Sequence, residues 1–170
     1  CSWYLQKSDN EQELDYMFQG ASAGCTYVIS KNAAQLVKTK LIINQEHCNV
    51  RLSHDWLIYA ICRSYGMSWF QDRDSRIFYR QHRSNAYGAL PGINGIIEKA
   101  KKVHSGWYRN HVLELRRFLQ GTSVNENAVF FAIDRYGFKD RIWLIYNAYK
   151  FRRTQRDTLL LRISLILGIF

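Results

Sequence analysis

Proline is nearly missing from this chain, with Pro91 alone among 170 residues. Together with Gly92 and Gly95 it marks residues 90–95 as a loop, and no internal repeat or low-complexity tract occurs anywhere else. Cysteine is sparse. Cys1, Cys25, Cys48 and Cys62 form no Cys-x-x-Cys pair and keep no zinc-like spacing to histidine, so a zinc module is excluded. Three of the four stand in apolar segments, as reduced thiols do, and point to a reducing compartment. No signal-peptide pattern is present, and no apolar run is long enough to cross a bilayer. Acid is in short supply, with 14 Asp and Glu against 24 Lys and Arg and a formal charge of +10. Residues 101–170 carry most of that excess, thirteen basic against five acidic side chains.

What is present is a domain-sized chain. At 47% hydrophobic and 15% aromatic it has the material for a real core, which excludes a disordered tail. It begins with Cys1 rather than Met, inside ordinary domain sequence. The expectation is a fragment lacking an N-terminal half.

Local patterns divide the chain near residue 95. Asp9, Glu11, Glu13 and Asp15 read as an exposed helix or loop, and Phe18 to Ser22 as a loop with a Gly hinge. Cys25 to Ile29 is β-rich and apolar and predicts a buried strand. Lys31 to Leu41 has helical spacing with Ser30 as its N-cap and Ala34, Val37 and Leu41 on one face. Ser53 is a second N-cap. Trp56, Leu57, Ala60, Ile61 and Tyr65 form the amphipathic stripe of the helix behind it, which Gly66 ends. Residues 68–71 and 76–80 read as short strands around a polar turn. From about Ile96 the pattern is helical, punctuated by Gly106, Gly121 and Gly137 into three or four helices.

Two segments carry chemistry. In Ser53-His54-Asp55-Trp56, Asp55 falls in the first helical turn, where the macrodipole and free N–H groups favour negative charge. Such a carboxylate serves as a general base towards a sugar hydroxyl, or simply complements the dipole; spacing alone leaves both open. His54-Asp55 is also the core of a metal phosphohydrolase motif, which needs further ligands on other helices. In Tyr79-Arg80-Gln81-His82-Arg83-Ser84-Asn85, Arg80 and His82 share one face of a strand. They offer donors to a phosphate, and His82 offers a metal ligand; an exposed edge strand with a polar end is the alternative. Asn85 and Gly88 suit a tight turn. Asp72-Arg73-Asp74 matches an Asp-x-Asp metal signature in form but lies in a hairpin-like turn, and reads as that turn. The small residues from Gly20 to Thr26 suit close approach to a ligand, or a loop packed tightly against a helix.

Taken in order, Gln19-Gly20-Ala21-Ser22-Ala23-Gly24-Cys25-Thr26, His54-Asp55-Trp56, Tyr79-Arg80-Gln81-His82-x-x-Asn85 and the closing Arg152-Arg153 with Asp157 and residues 159–168 resemble family 2 glycosyltransferases of bacterial surface polysaccharide synthesis, rhamnosyltransferase-like members included. The resemblance implies an α/β fold, the C-terminal part of a GT-A mixed sheet followed by a helical extension. Residues 1–95 would be the acceptor-side half and 96–170 the extension, the nucleotide-binding half being absent. It also implies Asp55 as base with His54 beside it, and Arg80, Gln81, His82 and Asn85 on the donor diphosphate. Gly24, Cys25, Thr26 and Trp56 would line the acceptor side, with Trp56 stacking on a sugar ring. Mg²⁺ or Mn²⁺ is the implied cofactor, held mainly by the missing half and touched by His82.

The reaction implied is inverting transfer from a nucleotide-sugar donor to a lipid-linked glycan acceptor. The basic stretch of Lys150, Arg152, Arg153 and Arg156 and the apolar residues after it then suit the inner face of the cytoplasmic membrane, where each cation adds about 1 kcal/mol. A non-catalytic membrane-associated module is the competing reading. Nucleic-acid binding ranks last, because the basic residues are not interleaved with aromatics on a sheet and no recognition motif occurs.

Overall fold

Helices begin where the sequence offers caps. The computed structural model of the chain describes residues 11–47, 52–72, 74, 105–121 and 123–170. Ser30 accepts the Ala33 N–H at 3.2 Å and opens α1, Lys31–Ile43. The buried face of α1 is set by Ala33 and Val37, one residue away from the predicted Ala34. Ser53 precedes α2, His54–Ser64. Gly66, at φ +71°, closes α2 by a Schellman pair: Met67 N–H reaches Cys62 O at 2.9 Å and Gly66 N–H reaches Arg63 O at 3.0 Å. Trp56, Leu57, Ala60 and Ile61 are buried as the stripe predicts, joined by Tyr59 and Cys62.

The C-terminal glycines punctuate helices as expected. Gly106 precedes α3 (Trp107–Leu115), and Gly121 stands before α4 (Val124–Arg135), whose first turn is capped by Ser123 on the Glu126 N–H. Gly137 precedes α5, Phe138–Asn147, and donates its N–H to Asp140 at 3.2 Å. Thr154 caps α6, Gln155–Leu167, by accepting the Asp157 N–H at 3.1 Å. At its far end Arg141 donates to the carbonyls of Leu165 and Ile166, groups a helix end would otherwise leave open.

The expected α/β architecture is not what forms. Among the described residues every regular element is helical and none is a strand. The predicted strand at Cys25 to Ile29 begins instead as a 3-10 turn, Gly24–Thr26. Its N–H groups bond locally, Thr26 to Ala23 O at 2.9 Å and Tyr27 to Gly24 O at 3.1 Å, and Val28 is fully exposed. β-Branched and aromatic residues favour strands only when a neighbouring strand takes their backbone groups, and here none does. Residues 68–71 likewise form no ladder. Trp69 packs edge-on to Tyr27 and Tyr59 while Phe70 faces solvent. The second predicted strand, residues 76–80, lies outside the described residues.

One buried cluster runs from Leu14 to Phe170 and includes residues of α1 to α6. Charge reinforces it where Asp15, predicted to be exposed, is completely buried. Arg153 pairs with its carboxylate, Tyr59 donates to it at 3.1 Å, and Arg63 lies 3.6 Å away. Arg63 also donates to the Tyr59 hydroxyl at 2.8 Å and pairs with Glu11 at 2.8 Å. Leu14 N–H meets Lys150 O at 3.0 Å, and Lys150 meets Glu13 at 2.9 Å. The segment before α1 is thus fastened both to α2 and to the turn before α6. Elsewhere Tyr16 donates to buried Glu126 at 2.6 Å, and burial raises the pKa of its phenol well above the ordinary value.

Candidate functional site

Asp55 stands at the second position of α2, half-buried, with His54 exposed beside it. Ser53 does not cap the helix through its own oxygen. Its hydroxyl donates to Asp55 Oδ1, and the same oxygen accepts the Trp56 N–H at 2.9 Å. The carboxylate therefore does the capping, with one oxygen. Its second oxygen, Oδ2, is not used by either bond.

The Gly24 turn closes over this helix start. A Cβ at Gly24 would lie 2.7 Å from His54 Nε2 and 3.2 Å from the Asp55 Cβ, so a larger residue there would push the His54 ring aside and press on Asp55. Of the two readings of the small-residue segment, the tightly packed loop is what forms at Gly24. Tyr27 anchors the turn from the other side. Its hydroxyl accepts the Ser22 N–H at 3.1 Å and lies 3.1 Å from Ser22 O and 3.2 Å from Asp55 O. Burial raises the pKa of this phenol, and the Asp55 charge adds to the shift. Cys25 and Thr26 are exposed on the same turn, Thr26 donating to Ala23 O at 2.7 Å.

Trp56 lies beneath the site, 6% exposed, with its indole N–H on Tyr16 O at 2.7 Å. Its ring stacks on His111 at 4.1 Å between centroids and tilts against Tyr108 at 5.5 Å. In this arrangement the indole supports the start of α2 from below, and the face that meets His111 is not open to a sugar. Burial holds His111 down to about 4, against the raising pull of the Asp55 charge, so the imidazole is neutral at pH 7. Arg152 and Arg153, read from sequence as part of an outward basic stretch, turn towards this region: Arg152 lies over the Tyr108 ring at 5.1 Å and Arg153 over Tyr59 at 4.9 Å.

Two of the sequence-selected segments are thus brought together, the Gly24-Cys25-Thr26 turn and His54-Asp55. Arg80, Gln81, His82 and Asn85 lie outside the described residues. Among those described, no group of three or more His, Cys, Asp or Glu side chains is arranged to hold a metal ion. His82, the residue expected to touch Mg²⁺ or Mn²⁺, lies outside the described residues. Sequence reading gave no site role to His111 or Tyr108. No local signal marks them, since both reach Trp56 from the helix Trp107–Leu115, more than fifty residues further along the chain.

Comparison with known proteins bears on this geometry. Over 166 residues the chain is 30% identical to the dTDP-rhamnosyl transferase RfbG of Shigella flexneri, a match covering 98% of this chain and 56% of that protein. The chain is related to a glycosyltransferase. It spans about half the length of that relative. No family model and no solved structure matches. A half-buried acid at a helix start, with one oxygen held and a glycine turn folded against it, is a group suited to taking a proton from a hydroxyl, the step that a sugar transferase requires of its protein.

Proposed function

We propose that the protein transfers a sugar, of the rhamnose type, from a nucleotide-sugar donor to an acceptor hydroxyl, with Asp55 as general base. The observation that carries this reading is the asymmetry of the Asp55 carboxylate among the described residues: Oδ1 takes both the Ser53 hydroxyl and the Trp56 N–H, and Oδ2 takes part in neither bond. The acceptor oxygen gives its proton to Asp55 as it forms a bond to the anomeric carbon. The bond from that carbon to the donor phosphate oxygen breaks, and the nucleoside diphosphate leaves with the electron pair. A single displacement inverts the anomeric centre, in the manner of family 2. His54, Cys25 and Thr26 border the acceptor. Arg80, Gln81, His82 and Asn85 are the proposed contacts of the departing diphosphate.

A lipid-linked glycan is the acceptor class we favour, reached from the cytoplasmic side. α6 exposes Leu159, Leu160, Ile163, Ile166 and Leu167, with exposed Arg156 near its start. The net positive charge of residues 101–170 complements an anionic headgroup surface. No helix among the described residues is long and apolar enough to cross a membrane, so docking would be peripheral. The same face supports the second reading, a membrane-associated module without catalysis.

Sugar transfer from dTDP-rhamnose by the full-length protein, beside its Asp55→Asn variant, tests the proposal. Loss of a general base lowers turnover by roughly 10²–10⁴-fold, and the expected result is a loss of that size in a variant that remains folded, with stability changed by no more than about 1 kcal/mol. Transfer at the wild-type rate in the variant would return Asp55 to a capping role. Sedimentation with anionic liposomes by a protein inactive on every nucleotide sugar would favour the module.

A further inference from the structure

α6 carries more apolar surface than the described residues cover. Thr158, Leu161 and Leu165 form its buried side. Leu159, Leu160, Ile163, Ile166 and Leu167 are nevertheless 43–64% exposed. The polar residues between them are turned to the backbone: Arg162 donates to Ile145 O at 3.1 Å and Ser164 to Leu160 O at 3.0 Å. From Leu159 to Leu167 no charged side chain is exposed. A helix that is apolar on nearly every side is normally a buried one.

α5 extends this face. The bonds from Arg141 to Leu165 O and from Arg162 to Ile145 O run in opposite order along the two helices, so α5 and α6 form an antiparallel hairpin. Phe138, Ile142, Tyr146 and, just past the end of α5, Tyr149 recur every three or four residues and are 50–78% exposed. On each helix the exposed row lies next to the row that touches the other helix, on the side away from the core. The two rows therefore join across the seam. At about 200 Å² for a fully open large side chain, these exposures amount to about 1,000 Å² of apolar surface. The largest patch on a monomer is seldom beyond about 300–600 Å², whereas one side of a standard protein interface is about 800 Å².

The α6 part of this face was set above against a lipid surface, which accepts any apolar face. Two features ask instead for a helix. Arg156, Leu159, Leu160, Ile163, Ile166 and Leu167 follow the 3–4 spacing of a coiled-coil seam. Arg156, exposed in the first turn, opposes the dipole of its own helix, and α6 has no basic residue in its last turn. A second α6 laid antiparallel would bring its Arg156 to that carbonyl end, beside Arg141, where a cation is favourable. We propose that the outward face of α5 and α6 receives a second copy of the chain, α6 against α6 about a two-fold axis, in a closed dimer. Phe138, Tyr146 and Tyr149 suit such an interface, in which aromatic residues are enriched. The pairing does not depend on the transferase reading.

Sedimentation velocity of the full-length protein in detergent-free buffer, over a range of concentrations, tests the pairing. The wild type is expected to sediment as a dimer. Ile163→Glu, in the middle of the α6 row, is expected to weaken that dimer about 30-fold or more. Val124→Glu, at an exposed position on α4, should leave it intact. Arg156→Glu suits the start of its own helix yet faces the carbonyl end of the second copy, and should weaken the dimer about two- to tenfold. If Ile163→Glu does not fold, Arg156→Glu decides against the same control. A wild type that stays monomeric at every concentration, a dimer that Ile163→Glu leaves unchanged, equal weakening by Val124→Glu, or assembly beyond two copies overturns the proposal. A monomer that sediments with vesicles of anionic phospholipid would overturn it in favour of the membrane.

Discussion

Asp15 and Asp55 are both aspartates tied to α2, and the chain uses them in opposite ways. Asp15 is completely buried, and its two oxygens are shared among Arg153, Tyr59 and Arg63. Those partners lie 44 to 138 residues away in sequence. Asp55 is half-buried, and among the described residues its carboxylate is bonded by its nearest neighbours, Ser53 and Trp56, on one oxygen. A completely buried carboxylate held on both oxygens by distant groups fastens the fold and is closed to a substrate. One held locally on a single oxygen is oriented without being consumed. Partner distribution therefore separates an acid that fastens the fold from one left able to do the chemistry proposed for it.

The largest test of that contrast is Asp15→Ala. It leaves the Arg153 and Arg63 charges facing a cavity, and breaking a buried pair from one side costs about 3–5 kcal/mol. Urea denaturation should show a loss of that order, against a change within about 1 kcal/mol for Asp55→Asn, whose partners are partly solvated. Equal losses would erase the distinction. Adding Arg153→Met to Asp15→Ala should recover part of the stability, because the uncompensated charge goes with it.

A second test uses acid. His111 is buried neutral and titrates at about 4, whereas in the unfolded chain it titrates near the ordinary value of 6.5. Between these values the unfolded state binds more protons, so stability falls as pH drops from 6.5 towards 4. The full contribution, reached below the lower value, is about 3 kcal/mol. Replacing the imidazole by a phenyl ring in His111→Phe keeps the stack on Trp56 and should flatten this part of the pH–stability curve. An unchanged slope would mean that His111 opens to solvent before unfolding, and that the floor beneath Asp55 is looser than the stacking at 4.1 Å describes.

How much of this could be read from the chain follows the same division between local and distant partners. Ser30, Ser53, Gly66 and the C-terminal glycines act within a few residues of themselves, and each starts or stops a helix where the sequence predicts. The stripe on α2 is equally local. Asp15 looked like one more acid in a polar segment because nothing within ten residues reveals Arg153. The segment from Cys25 to Ile29 looked like a strand because propensity is local, while the partner a strand needs is not. Arg152 and Arg153 looked like a surface patch for the same reason. His54-Asp55 and the glycine turn were legible as separate segments, their functional assignment resting on the resemblance, whereas the packing of Trp56 on Tyr108 and His111 beneath them joins distant stretches and leaves no local mark.

The smallest expected effect on stability tests the bridge between the turn and the base. Tyr27→Phe keeps the ring, and with it the edge-on contact to Trp69 at 4.9 Å, but removes the hydroxyl that joins Ser22 to the Asp55 carbonyl. Net hydrogen-bond contributions of this kind are about 1 kcal/mol, so the unfolding midpoint should move little. The turn, however, would lose its anchor to α2, and Gly24 would no longer be pressed against His54 and Asp55. Misplacement of a positioning element by about 1 Å costs as much as roughly 10²-fold in rate. A fall in kcat well beyond what a 1 kcal/mol loss explains, with donor KM unchanged, would tie the turn to the acceptor side of the reaction. A kcat that holds while stability drops would make Tyr27 one more fastening, of the same kind as Asp15.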